Sequence, residues 1–203
     1  MRRLASAVAS AAALGGGAFG LAACGGAGAK TAAPGSAHAS FDGPALPTPV
    51  AAPPFTLTDV DGASVSLGAY RGRVAILAFL DSTCRACVLI AQQVRGALDE
   101  LAKPPPVLLV SANPAGDSRT SVEAFLRQTG LAGRARYLVG PPGALGVVLH
   151  AYRVRTPSEG QAEFETAATV YLLDAGGRER VVYQEEELTP EALAHDVRAL
   201  ESG

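Results

Sequence analysis

The chain has 203 residues, 48% hydrophobic, with 17 Lys and Arg against 19 Asp and Glu and a formal net charge of −2. No basic cluster and no aromatic interleaving accompany that balance, which excludes a nucleic-acid binder of the usual kind. Three cysteines and one methionine exclude a disulfide-rich scaffold or a zinc module.

Met1-Arg2-Arg3 is a short basic segment, and Leu4 to Ala23 is a nearly uncharged run rich in Ala and Gly. Basic, then apolar, then small is the layout of an export signal. The run has the length of a membrane span, but Gly15-Gly16-Gly17 is a poor helix former and no basic stop-transfer cluster follows. An uncleaved anchor and an ordinary secretory signal remain alternatives. Leu21-Ala22-Ala23-Cys24 resembles the lipobox of bacterial lipoproteins. That resemblance implies cleavage before Cys24, a lipid on Cys24, and an exported protein held on the outer face of the cell membrane. It also leaves the other two cysteines to form one pair, in a compartment where disulfides persist.

Residues 24–52 are rich in Ala, Gly, Pro and Ser and read as a flexible tether. By the rule of roughly 5–6 Å × √n, such a coil reaches a few tens of ångströms. His38 lies in it and is read as solvated. Residues 53–203 are long enough for one domain with its own core. Phe55 to Leu67 holds two alternating runs around Asp61-Gly62, a hairpin signal. Val74 to Leu80 is an unbroken apolar run and predicts a buried strand. It stops at Asp81-Ser82-Thr83, then Cys84-Arg85-Ala86-Cys87 opens a helical pattern from Val88 to about Leu101, and Lys103-Pro104-Pro105-Pro106 ends that pattern. Val107 to Ser111 predicts a second buried strand, and Asn113 to Asp117 a loop at its carboxyl end. Ser118 to Thr129 reads as a helix with Gly130 beyond it, Arg136 to Val139 as a strand, and Pro141 to about Tyr152 as a helix. Ala167 to Leu173 and Arg178 to Tyr183 flank the turn Asp174-Ala175-Gly176-Gly177 as a hairpin. Thr189-Pro190 supplies an N-cap and a first-turn proline for a last helix. The order predicts an α/β fold with a central mixed sheet, helices on both faces and an N-terminal β-hairpin. Sites in such sheets lie at the carboxyl ends of the strands, where Cys84 and the 113–117 loop fall.

Cys84 and Cys87 at the start of a helix suit redox chemistry. Residues at i and i+3 share a face, and free N–H groups with the positive end of the helix dipole favour a thiolate. The pair can cycle between dithiol and disulfide, hold a soft metal ion, or form a static structural disulfide. Cys84 is expected to be the more exposed nucleophile and Cys87 the resolving thiol. Arg85 is either an aid to the thiolate or a solvated side chain. His150 and His195 fall in predicted helices and are read as packing or surface residues.

Phe55-x-Leu-x-Asp-x-Asp-Gly, Tyr70-Arg-Gly-Arg-Val-Ala-Ile-Leu-Ala-Phe, Thr83-Cys84, Val110-Ser-Ala-Asn-Pro114-Ala-Gly-Asp117, Ala151-Tyr-Arg-Val154 and Val170-Tyr-Leu-Leu-Asp174-x-x-Gly177 occur in this order. Together they resemble the SCO/SenC family over most of residues 53–203. The resemblance implies a thioredoxin-like fold, extracytoplasmic tethering, copper binding, cytochrome oxidase assembly and thiol chemistry. The family's metal site has C-x-x-x-C and a histidine; here the spacing is C-x-x-C, and Thr166 stands where that histidine belongs. Asn113 replaces the family's acidic residue. Cu(II), which favours imidazole, is therefore not expected, whereas Cu(I) suits two thiolates on Cys84 and Cys87. Thioredoxin-like oxidoreductases share the C-x-x-C spacing but place a tryptophan before the first cysteine, where Thr83 stands. They also place a cis-proline near the positions of Ala168 and Thr169. Peroxiredoxins have a threonine at the position of Asp81. The reading that results is thiol–disulfide exchange with a protein partner, with no cofactor required and with the copper-site cysteines of a cytochrome oxidase subunit as one target. The alternatives are a Cu(I) metallochaperone without turnover and a lipoprotein domain with an inert disulfide.

Overall fold

A computed structural model describes residues 40–156 and 168–203. Cys24, His38, Thr166, the signal segment and the tether up to residue 39 lie outside the described residues. In chain order the elements are β1 (Ala45–Ala51), β2 (Thr56–Asp59), β3 (Ser64–Ser66), a 3-10 turn (Leu67–Tyr70), β4 (Ala75–Leu80) and α1 (Arg85–Asp99). They continue as β5 (Val107–Ser111), α2 (Arg119–Thr129), β6 (Ala135–Val139), α3 (Pro142–Ala151), β7 (Val170–Leu173), β8 (Arg178–Tyr183), a 3-10 turn (Glu185–Glu187) and α4 (Pro190–Ser202).

One sheet holds all eight strands, in the order β1-β8-β7-β4-β5-β6-β2-β3. β4, β5 and β6 are parallel to one another, and every other pairing is antiparallel. All six residues of β4 and all five of β5 are buried. An apolar run without alternation belongs in a strand covered on both faces, as the sequence predicts. Phe79 packs on one face against Tyr152, at 4.9 Å between ring centroids, and against Tyr171 at 5.8 Å. Tyr152 ends α3, so α3 covers that face. Tyr137 is in register with Leu109 and hence with Ala78, on the opposite face, where its ring meets Phe125 of α2. α1 packs against both α2 and α4 there.

Local chemistry explains the helix boundaries. Ser118 caps α2 by accepting the Ser121 N–H at 3.1 Å, and Gly130 closes it at φ 72°, a left-handed conformation that costs glycine little. Thr189 caps α4 by accepting the Ala192 N–H at 3.2 Å, with Pro190 in its first turn. α1 ends at Asp99, before the proline run, and Leu101 just beyond it is buried.

The expected tether, residues 24–52, is corrected at its end: Ala45–Ala51 forms β1 and pairs with β8. Two prolines and the absence of alternation hide this strand in the sequence, but an edge strand tolerates both. A long-range contact secures it. Asp196 on α4 is fully buried, and its carboxylate accepts the backbone N–H groups of Asp42 and Gly43 at 2.7 and 3.0 Å and the Tyr183 hydroxyl. Gly43 is needed for this approach, since a Cβ there would lie 2.3 Å from the Tyr183 ring.

Candidate functional site

β4, β5 and β6 are parallel neighbours whose carboxyl ends lie on one side, and the chain leaves β4 there through Asp81, Ser82 and Thr83 into α1. Cys84 is the N-cap of α1, with extended dihedrals (φ −81°, ψ 130°), and Cys87 is the third helical residue. The two are joined as a disulfide with their Cα atoms 5.2 Å apart. A side-chain oxygen usually accepts the orphan N–H of the third helical residue. Here Cys84 Sγ does so, 3.1 Å from the Cys87 N. The second sulfur is met from below by the Asp81 N–H, 3.5 Å from Cys87 Sγ. Each sulfur thus faces a backbone donor, which favours electron density on it.

Two buried carboxylates hold the three-residue turn. Asp81 is 1% exposed. Its Oδ1 accepts the Thr83 N–H and the Thr83 hydroxyl, both at 2.8 Å, and its Oδ2 accepts an N–H from Asn113 Nδ2 at 3.0 Å. Its own carbonyl accepts the Cys84 N–H at 3.1 Å. Asp117 follows β5. Its Oδ1 accepts the Ser82 N–H at 2.8 Å, and its Oδ2 accepts the hydroxyls of Ser111 at 2.6 Å and Tyr137 at 2.8 Å. Burial pushes the Asp117 carboxyl above its ordinary value, against the hydrogen bonds from Ser111, Ser82 and Tyr137 that pull it down. Burial, and next the charge of Asp117, hold the Tyr137 phenol well above its ordinary value.

The structure brings Cys84 and Cys87 together and sets the 113–117 loop beside them, as the sequence predicts. It does not make Cys84 the exposed member of the pair. Cys84 is 1% and Cys87 0% exposed: Cys84 Sγ lies against the Cys87 N–H in the first turn of α1, and Cys87 Sγ lies against the Asp81 N–H. What distinguishes the two is chain position: Cys84 lies outside the helix between exposed Thr83 and exposed Arg85, and Cys87 lies within it. His150 is exposed on α3. His195 sits beside the latch that Asp196 forms on the Asp42 and Gly43 amides, with Nδ1 3.0 Å from Asp196 Oδ1 and 3.5 Å from Asp42 Oδ2. Among the described residues no three His, Cys, Asp or Glu side chains gather in a way that could hold a metal ion. No helix among them is long and apolar enough to cross a membrane.

Sequence reasoning gave Asp81 and Tyr137 no part in the site. Asp81 carried a usable signal, a carboxylate directly after a fully apolar strand at the site edge. Tyr137 carried none, since its hydroxyl reaches the site only through the pairing of β5 with β6.

The family model described as SCO1/SenC matches residues 44–202. None of the curated proteins matches the chain. Among solved structures, the copper-bound ScoI of Bradyrhizobium japonicum is 22% identical, over 74% of this chain and 99% of that one, with a TM-score of 0.56. BsSco is described as a member of the Sco family of cytochrome c oxidase assembly proteins with a disulfide switch. It is 19% identical over 77% of this chain and 96% of its own, with a TM-score of 0.60. A SCO1/SenC family lipoprotein from Bacillus anthracis is 19% identical over 77% and 99%, with a TM-score of 0.61.

Proposed function

The chain belongs to the SCO1/SenC family and has its thioredoxin-like fold, and from that premise we propose that it carries out thiol–disulfide exchange through Cys84 and Cys87 outside the cytoplasm. One observation carries this reading. A disulfide spans the first turn of a helix at the carboxyl edge of the parallel strands, with Cys84 as the cap and a backbone N–H on each sulfur. In the reduced protein the Cys84 thiolate attacks a partner disulfide and releases one partner thiolate, which takes up a proton. Cys87 then loses its proton and attacks the mixed disulfide at Cys84. The second partner thiol leaves, and the Cys84–Cys87 disulfide forms. Two electrons have passed to the partner with two protons, one from Cys87 and one from solvent, to which Cys84 had released its own on ionising. The Cys87 N–H stabilises the attacking sulfur, and Arg85, exposed beside it, adds positive charge.

The relatives direct the choice of partner. Membership alongside BsSco supports the cysteines of a cytochrome oxidase copper subunit as the target. Leu21-Ala22-Ala23-Cys24, together with the lipoprotein from Bacillus anthracis, supports a lipid anchor on Cys24. A second reading, carriage of Cu(I) as cargo, is favoured by the copper-bound ScoI relative. Two thiolates suit that ion once the pair is reduced.

The test uses the full chain with insulin as the disulfide substrate and dithiothreitol as electron source. Wild-type protein accelerates insulin reduction, and Cys84→Ser abolishes the acceleration; an unchanged rate in that variant would sink the proposal. A Cu(I) competition titration of the reduced protein separates the second reading. Tight one-to-one binding that is lost in both Cys84→Ser and Cys87→Ser, in a protein inactive on insulin, would replace exchange by copper carriage.

A further inference from the structure

The disulfide is flanked by an acid–amide pair, Asp81 and Asn113, joined by a hydrogen bond between two loops. Asn113 Oδ1 accepts the Gly116 N–H at 3.1 Å, which leaves Nδ2 to donate to Asp81 Oδ2 at 3.0 Å. Asp81 Oδ1 is meanwhile occupied by both donors of Thr83. Flipping the amide would set its oxygen against the Asp81 carboxylate and give up the side-chain contact with Gly116, whose N–H also reaches the Asn113 carbonyl at 3.0 Å, while the carboxylate keeps one oxygen on Thr83 and the other on Asn113. Gly116 keeps room for this arrangement, because a Cβ there would lie 2.5 Å from Asn113 Nδ2. The bond joins the turn before Cys84 to the loop after β5, across 32 residues of chain. The Asp81 N–H that meets Cys87 Sγ belongs to the same residue.

We infer that Asp81 and Asn113 are a single positioning unit for thiol exchange at Cys84, fixing the turn so that the two sulfurs are held at bonding reach. The inference rests on the exchange reading for its biological use, but the geometry it describes acts on the disulfide itself. Either residue alone is the wrong partner for its neighbour's replacement. With Asp81→Asn, an amide that keeps its oxygen on Thr83 turns its Nδ2 toward that of Asn113, and with Asn113→Asp the buried Asp81 carboxylate faces a second, half-buried one. With both substitutions together, the new amide at 81 offers Oδ1 to Thr83 and Nδ2 to the new carboxylate at 113. That carboxylate still accepts from Gly116. Every hydrogen bond is rebuilt with the charge moved across the pair.

The experiment is a double-mutant cycle on the full chain, with Asn113→Ala as a milder single variant. The main readout is the equilibrium constant for forming the Cys84–Cys87 disulfide against the dithiothreitol couple. Insulin reduction rates and melting temperatures are measured beside it. Each single variant is expected to lower the constant about tenfold or more, the scale of a lost charge-assisted hydrogen bond. The exchanged pair is expected to recover to within about threefold of wild type, since coupled neighbours are not additive. Single variants that melt earlier with an unchanged constant would overturn the inference, as would an exchanged pair no better than its singles. A cycle that behaves as expected in a protein that does not act on insulin would overturn the exchange reading and leave the positioning pair standing.

Discussion

Removing the Tyr137 hydroxyl tests how the redox turn is held from below. In Tyr137→Phe the ring stays, so its edge-to-face contact with Phe125, at 6.0 Å and 76°, is kept and no cavity opens. The hydroxyl lies 2.8 Å from Asp117 Oδ2 and 3.0 Å from the Leu80 carbonyl. That carbonyl also accepts the Ala112 N–H at 2.9 Å, so it keeps a partner. The loss falls on Asp117, which retains Ser82 and Ser111. A buried hydrogen bond to a charged group is worth about 1.5–3 kcal/mol. With two of three donors left in place, the lower end, about 1.5–2 kcal/mol, is expected. Urea unfolding of the oxidised full chain measures this, with the m-value unchanged if only stability moves. A loss below about 0.5 kcal/mol would mean that Asp117 draws nothing from Tyr137, and one above about 4 would mean that the ring had moved.

Three further variants test contacts elsewhere in the fold and the burial of Asp117. In Gly96→Ala a Cβ on α1 would sit 2.8 Å from the rigid ring of Pro190 on α4; a loss of about 1–3 kcal/mol in urea unfolding is expected, and no loss would mean the helices part freely. Asp196→Ala removes the acceptor for Asp42, Gly43 and Tyr183, so hydrogen exchange at the first two amides should quicken while β4 stays protected; unchanged exchange would contradict the latch. Asp117 has a folded value raised above 3.8, so between the two values the folded state binds more protons than the unfolded one. Its contribution to stability therefore declines as pH rises through that window, and Asp117→Asn should flatten that part of the profile; a profile unaffected by the substitution would count against the burial argument.

Much of this fold was legible because its elements are locally consistent. The apolar runs of β4 and β5, the Asp61-Gly62 hairpin, the Ser118 and Thr189 caps and the Gly130 stop all announce themselves within a few residues. β1 did not, because its evidence is Asp196, about 150 residues away, and the pairing with β8. The cysteine pair was legible from spacing, whereas its burial was not: Cys87 Sγ comes to lie against the Asp81 N–H only through the turn out of β4. Asn113 was visible as a departure from the family's acidic residue. That it donates to a carboxylate supplied by Asp81 could only come from the packing of two loops.

The most direct measurement of the exchange chemistry is to trap its intermediate. Reduced full-length Cys87→Ser protein, mixed with an excess of insulin, has an attacking thiol and no resolving one. A stable mixed disulfide should accumulate, and peptide mass spectrometry should place it on Cys84. Cys84→Ser protein treated in the same way should form little or none. Absence of an adduct on Cys84, or an adduct that forms equally well through Cys87 when Cys84 is gone, would contradict the assignment of Cys84 as the nucleophile.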